Sequence, residues 1–303
     1  MPHDTSTVPN AAPTTGAVLT PDPTSTNGAE QERRLPALSP SRINDYLQCP
    51  LLFRLRTVDR LPEDPSPAAA RGTLVHAVLE RLFDAPAGER TPEAARALRP
   101  GAWEQLASER PEYTTMFAGA RELDEWLASA DRLLDRYFTL EDPNRLEPRA
   151  RELYVETELA DGPRLRGIVD RVDVAPDGAV RIVDYKTGKA PRAGYGESAA
   201  FQMRFYGLVV WRTRQTVPAM LQLMYLGDGQ VLRSVPTVGD LERTETKIRS
   251  VWGSIEDDAR SGEFAPRRSR LCDWCAHQAQ CPAYGNAAPP IPEGAIGLRL
   301  GIA

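Results

Sequence analysis

Two short segments place charged side chains where a strand would carry apolar ones. Gly167-Ile168-Val169-Asp170-Arg171-Val172-Asp173 and Asp184-Tyr185-Lys186-Thr187-Gly188-Lys189 both continue β-type patterns, yet each holds carboxylates and the second a lysine. Side chains on a strand alternate faces, so Asp184 and Lys186 project to one side, and a hairpin can bring Asp170 opposite them. Two carboxylates and an ammonium would then converge. Oxygen donors suit a hard cation such as Mg²⁺, which retains waters and accepts phosphate oxygens, so the set fits metal-assisted hydrolysis of a phosphate ester. Lys186 would orient the attacking water or neutralise developing charge. A lone D-x-K in a strand is more often a surface ion pair, and Asp173, at an odd offset from Asp170, belongs to the opposite face of a regular strand. The dipeptide Gly188-Lys189 does not make a phosphate loop, which needs Gly at 183 and Ser or Thr at 190, where the chain has Val183 and Ala190.

The four cysteines form the second chemical group. Cys272, Cys275 and Cys281 stand in a C-x2-C-x5-C pattern, while Cys49 lies more than two hundred residues upstream. A compact trio of thiols in a chain without export signals reads as a metal or cluster site lacking one ligand, and Cys49 is the remaining cysteine. Four thiolates suit either tetrahedral Zn²⁺ or a [4Fe-4S] cluster; chemistry alone does not choose.

These residues need elements to position them. Ser39-Pro40 opens a helix carrying Ile43, Tyr46 and Leu47, which Pro50 ends or bends. A second helix is predicted from about Arg71, with Leu74, Val75, Val78, Leu79 and Leu82 on one stripe, and a third from about Arg121 to Phe138. After Pro148 the period becomes alternating, giving strands over Leu153 to Leu159, Leu165 to Val174 and Val180 to Lys186. The last two are joined at Pro176-Asp177-Gly178, a hairpin signal. A helix over Ser198 to Arg214, strands near Met220 to Leu226 and Val231 to Val235, and a helix from Leu241 to Arg260 complete the body.

The wording G-I-V-D-R-V-D followed by I-V-D-Y-K-T-G-K resembles the signature of PD-(D/E)XK nucleases, specifically their RecB-type branch. That resemblance implies Asp170 and Asp184 as ligands of Mg²⁺ or Mn²⁺, the carbonyl of Tyr185 as a further ligand, and Lys186 as the catalytic lysine. The family's G-x-x-x-H pattern is matched by Gly72-Thr73-Leu74-Val75-His76, which implies a metal or phosphate role for His76; Glu80 follows one helical turn later. Its Q-x-x-x-Y helix is matched by Gln202 and Tyr206, whose spacing lets both polar heads face the DNA backbone, although Tyr206 could equally be core. One cysteine before the nuclease core and three after it, with Tyr46-x-x-Cys49-Pro50, is similar to iron-sulfur nucleases such as AddB and the CRISPR-adaptation nucleases. This implies a structural [4Fe-4S] cluster on Cys49, Cys272, Cys275 and Cys281, with zinc the lesser alternative and His277 then a substitute ligand.

The resemblance implies an α/β fold: a restriction-endonuclease-like core, a mixed sheet flanked by helices, with N-terminal helices and a C-terminal cysteine-rich segment. The implied activity is a metal-dependent deoxyribonuclease acting as an exonuclease on single-stranded or unwound DNA ends in repair or recombination, alone or with a separate helicase. The competing reading is a non-catalytic or accessory DNA-binding subunit of a helicase-nuclease complex. Composition sets the outer bounds. The 303 residues are 41% hydrophobic with formal charge −5, enough apolar content for a core and no sign of a protein basic all over. No apolar run approaches the roughly 18 residues of a membrane span, and the start lacks a signal-peptide pattern, so a cytoplasmic protein with no membrane partner is expected. Residues 1–36, rich in Pro, Thr, Ser and Ala, are expected to be a disordered tail, 37–285 one nuclease domain with cluster-binding ends, and 286–303 a flexible tail.

Overall fold

In the computed structural model, residues 36–160, 162–192 and 196–302 are described. The expected disordered tail therefore lies, apart from its last residue, outside the described residues. Helix α1 (Pro40–Gln48) begins as its sequence requires, with the Ser39 hydroxyl accepting the Arg42 amide at 3.3 Å and Pro40 in the first turn. Pro50 drives the preceding Cys49 out of the helical region, to φ −164° and ψ 115°, and starts α2 (Pro50–Phe53), which unwinds into a π-turn over Arg54–Val58. Cys49 thus sits at the joint between two helices.

Helix α3 (Pro67–Leu82) starts four residues before the expected Arg71, because Ser66 and Pro67 form the same cap-and-proline signal. Its stripe from Ala70 to Leu82 is fully buried, and each large apolar side chain on it contributes on the order of 1.5–3 kcal/mol. Helix α4 (Pro92–Glu109) was not anticipated from sequence. It contains Pro100 and buries only Ala95, Ala102 and Leu106, so neither propensity nor periodicity announces it. Helix α5 (Ala120–Leu140) follows, extending the expected element by a residue or two at each end.

The sheet has the order β1 (Ala150–Glu158), β2 (Arg164–Val174), β3 (Val180–Lys186), β4 (Met220–Tyr225), β5 (Gln230–Ser234), all within a residue or so of their expected places except β1, which starts earlier. The β2–β3 hairpin turns where predicted, with Gly178 at φ +87° and its N–H on Ala175 at 2.8 Å. β3 pairs parallel with β4, which requires a crossover, supplied by α6 (Glu197–Arg214); all other pairs are antiparallel. Helix α7 (Val238–Ser261) is capped by the reciprocal bonds of Thr237 and Asp240 and stopped by Gly262 at φ +73°.

Helices cover both faces of the sheet. Ile182, Leu221 and Leu223 pack with α6, α7 and α1, whereas Val183, Tyr185 and Met224 pack with α3 and α5. β3 is largely apolar on both sides for this reason; Arg181 near its start and Asp184 and Lys186 at its end are the exceptions. Three 3₁₀ turns between Arg270 and Tyr284 carry the cysteines. In place of the flexible tail expected from residue 286, the chain forms α8 (Ala295–Leu300), which packs against the π-turn, and Ala295, Leu300 and Ile302 join the core. The three apolar residues were too few to stand out in a short Pro- and Gly-rich stretch. Among the described residues no helix is long and apolar enough to cross a membrane.

Candidate metal centre and cysteine pocket

Glu152 and Asp170 are held face to face by strand register. Arg151 pairs with Arg171 and Leu153 with Val169, so the intervening residues oppose one another across β1 and β2. The alternation breaks there on both strands: Ala150 and Leu153 pack on the same core, as do Val169 and Val172. Glu152 accommodates the break at φ 43°, a left-handed conformation costing on the order of 1–2 kcal/mol for a side chain without special tolerance. On the β3 side the last paired positions are Arg171 and Val183, so Asp170 and Asp184 come next, where the two strands part.

Helix α3 brings His76 against this break. Its Nε2 lies 2.9 Å from the Tyr185 carbonyl oxygen and its Nδ1 3.4 Å from Asp170 Oδ2, which also accepts the Tyr185 N–H at 2.7 Å. One ligand atom from each of His76, Glu152 and Asp170 falls within 4.8 Å of the others. The electrostatics are those of crowded carboxylates short of a cation. Burial, then Asp170, pushes Glu152 up to about 7, and burial, then Asp170, pushes Asp184 up to about 6. Burial alone would lower His76, but Asp170, Asp184 and Glu152 outweigh it and raise it to about 9.

A second network joins β3 to α6. Lys186 Nζ lies 2.7 Å from Asp184 Oδ2 and donates to Gln202 Oε1 at 2.8 Å, while Gln202 Nε2 donates to Asp184 Oδ1 at 2.9 Å and to the Tyr206 hydroxyl at 3.0 Å. Gln202 and Tyr206, expected to face the DNA backbone, are instead turned inward: the amide spans Asp184 and Lys186, and Tyr206 is buried. Gly167 makes room for that ring, since a Cβ there would come within 2.6 Å of Tyr206 Cε1. Asp173 is taken up by ion pairs with Arg171 and Arg181, and with the alternation broken between it and Asp170 these pairs, rather than strand parity, account for its place.

Arg171, only 1% exposed, anchors the same region from beneath. Its guanidinium pairs with Glu141 and donates to the Tyr185 hydroxyl at 2.7 Å, fixing the residue whose carbonyl faces His76. An open cleft of about 570 Å³ lies beside these groups, walled by α3 and α4 and containing Glu80, Glu109, Glu152 and Lys186. Sequence reasoning missed Glu152 and Arg171. Pairing β1 with β2 in register would have placed Glu152 opposite Asp170; nothing in the sequence announced the burial of Arg171.

All four cysteines are free thiols, half-buried, and line one pocket. The Arg267 N–H donates to Cys49 Sγ and the Ser269 N–H to Cys272 Sγ, each at 3.3 Å. Arg267 also reaches back to the Leu47 carbonyl at 2.5 Å, tying the cysteine-rich segment to α1. His277 is buried with Nε2 2.7 Å from Glu63 Oε1, and it lines the same pocket as the cysteines.

Residues 37–282 match the family model of the PD-(D/E)XK nuclease superfamily, and the chain belongs to that superfamily. Two phage proteins are similar over most of their length. The gene 69 protein of Mycobacterium phage D29 is 25% identical over 83% of this chain and 98% of its own, and that of Mycobacterium phage L5 is 26% identical over 82% and 97%. The crystal structure of a protein from Eubacterium rectale, provisionally named an exonuclease, superposes on 93% of this chain and all of its own with a TM-score of 0.56 at 18% identity, a likeness of fold.

Proposed function

We propose that the chain is a RecB-type DNA exonuclease dependent on Mg²⁺ or Mn²⁺, with a structural [4Fe-4S] cluster on Cys49, Cys272, Cys275 and Cys281. The observation that carries this reading is the meeting of His76, Glu152 and Asp170 within 4.8 Å, directly beside the Asp184–Lys186 pair. The donor set fits a hard divalent cation: one imidazole, carboxylates with raised pKa values that a cation would relieve, and the Tyr185 carbonyl. Asp170, Asp184, Glu152, His76 and the Tyr185 carbonyl would hold the ion, which when bound supplies Lewis-acid activation of water and of the scissile phosphate. Lys186, steered by Gln202, places its ammonium where the attacking water or the pentavalent phosphate gathers negative charge. Arg171 keeps the Tyr185 peptide in place throughout.

The thiol pocket fits a cluster in the same way. Two sulfurs accept backbone N–H bonds, which suits thiolates carrying cluster charge. Tetrahedral zinc would draw the four sulfurs to roughly 3.8 Å from one another. A [4Fe-4S] cubane would hold them further apart, so the sulfur separation in the metal-loaded protein distinguishes the two. DNA with single-stranded or unwound ends, delivered by a separate helicase, completes the reading. The test is digestion of end-labelled DNA by anaerobically purified protein, in EDTA and after Mg²⁺ or Mn²⁺ addition. Metal-dependent release of nucleotides from ends is expected; binding without cleavage under every metal would leave the accessory-subunit reading.

A further inference from the structure

The open cleft beside the metal-centred group holds a cation that the mechanism above does not use. Arg81 stands on α3 five residues after His76, roughly 7.5 Å along the helix axis, and both residues line the cleft. One helix thus sets the distance between them. The other wall is α4, which packs on α3 through the face that buries Ala102 and Leu106, and Gln105 and Glu109 on the neighbouring turns line the cleft beside them.

The Gln105 amide is committed at both ends. Its Oε1 accepts from the Arg81 guanidinium, and its Nε2 donates to Glu109 Oε1 at 2.7 Å. Arg81 is therefore held by a neutral group, and the described residues give it no ion pair with a carboxylate. The carboxylates of the cleft are accounted for elsewhere: Glu152 belongs to the metal-centred group, Glu80 borders that group together with Asp170, and Glu109 accepts from Gln105. A guanidinium offers five N–H donors in a planar fork, of which the amide oxygen takes one, and the rest suit the oxygens of a phosphate.

We propose that Arg81, oriented by Gln105, binds the phosphate that neighbours the scissile one, so that α4 helps the site to select a polynucleotide over a simple phosphate ester. The proposal rests on the nuclease reading and names a residue that sets its substrate class. The neutral partner is the telling feature. Glutamine fixes the direction of the guanidinium without cancelling its charge, and charge is what a phosphate contact needs. If Arg81 served only to tie α3 to α4, a carboxylate at position 105 would do it better, through a charge-assisted pair.

The test applies two readouts and an unfolding curve to Arg81→Ala, Arg81→Lys and Gln105→Glu. Binding is read by fluorescence anisotropy of a labelled oligothymidylate in Ca²⁺. Selectivity is kcat/KM for oligothymidylate in Mn²⁺ divided by that for bis(p-nitrophenyl) phosphate, an ester with no second phosphate. Arg81→Ala is expected to weaken binding about tenfold or more, to lower its salt slope by about 0.7, and to reduce the selectivity ratio by a similar factor to the binding loss. Arg81→Lys should recover part of that loss, because the charge remains and the fork is gone. Gln105→Glu separates recognition from structure: oligothymidylate binding should weaken while the unfolding midpoint holds or rises, since the new carboxylate pairs with Arg81. A midpoint that rises with binding unchanged would make Arg81 a structural tie and overturn the proposal. An equal fall of both kcat/KM values in Arg81→Ala would overturn it as well. If the wild type binds the oligonucleotide but hydrolyses neither substrate, binding lost as expected in Arg81→Ala would uphold the phosphate site and sink the catalytic reading instead.

Discussion

Lys186 owes its place to two contacts: alternation along β3 puts it beside Asp184, and Gln202 accepts from it while also holding Asp184. Its removal should leave a folded protein, because the side chain is partly exposed and fills no core. Lys186→Ala is expected to lower the rate of DNA cleavage by about 10²–10³ or more with an unchanged unfolding midpoint. Retained cleavage would remove Lys186 from the chemistry. Glu152 is the residue that geometry adds to the reading. Glu152→Gln should weaken Mn²⁺ binding, measured calorimetrically, by at least the about 10- to 100-fold typical of losing a group that supports a ligand. The pattern of Asp170, Asp184 and Lys186 was legible from residue type and spacing. Glu152 was not, since an acid within an alternating polar face looks like any solvated strand residue until the partner strand is in register.

Elements decide how rigid that geometry is. Arg171 is buried with Glu141 and Asp173, so Arg171→Met would strand carboxylates in a poorly hydrated place and cost about 3 kcal/mol or more of stability. Urea unfolding of the variant checks this; a loss below 1 kcal/mol would mean that water replaces the guanidinium. The start of α7 depends on protonation. The Thr237 hydroxyl, with the Thr237 backbone N–H, pulls Asp240 down to about 2 from an ordinary 3.8, so this contribution is full above the ordinary value and fades as pH falls through about 2. Asp240→Ala should therefore melt below wild type at neutral pH and approach it at pH near 2. A gap that persists at low pH would contradict the cap. Caps, hairpin turn and strand alternation made most of these elements readable. Helix α4 and α8 were hidden for opposite reasons: α4 buries small residues around a proline, and α8 gains its order from a core contact that only the folded chain provides.

At the scale of the whole molecule, the cysteine pocket joins α1 to a segment more than two hundred residues away, and Arg267 and Arg54 add polar ties across the same seam, Arg54 reaching the Pro289 carbonyl. If a cluster closes that seam, Cys49→Ala should lose most of its iron and unfold at lower denaturant, since loop closure and metal binding are lost together. Full iron content with unchanged stability would refute the clamp, and stoichiometric zinc in a colourless wild type would replace the cluster while keeping the four thiols. The clamp frames the molecule, but the central claim concerns the metal-centred group. Its most direct measurement is the rate at which anaerobically purified wild type and Asp184→Ala, matched for iron content, degrade end-labelled single-stranded DNA across a Mn²⁺ titration. The account predicts saturable, metal-dependent cleavage by wild type and none above background by Asp184→Ala at any Mn²⁺ concentration. Equal rates for the two proteins would contradict it.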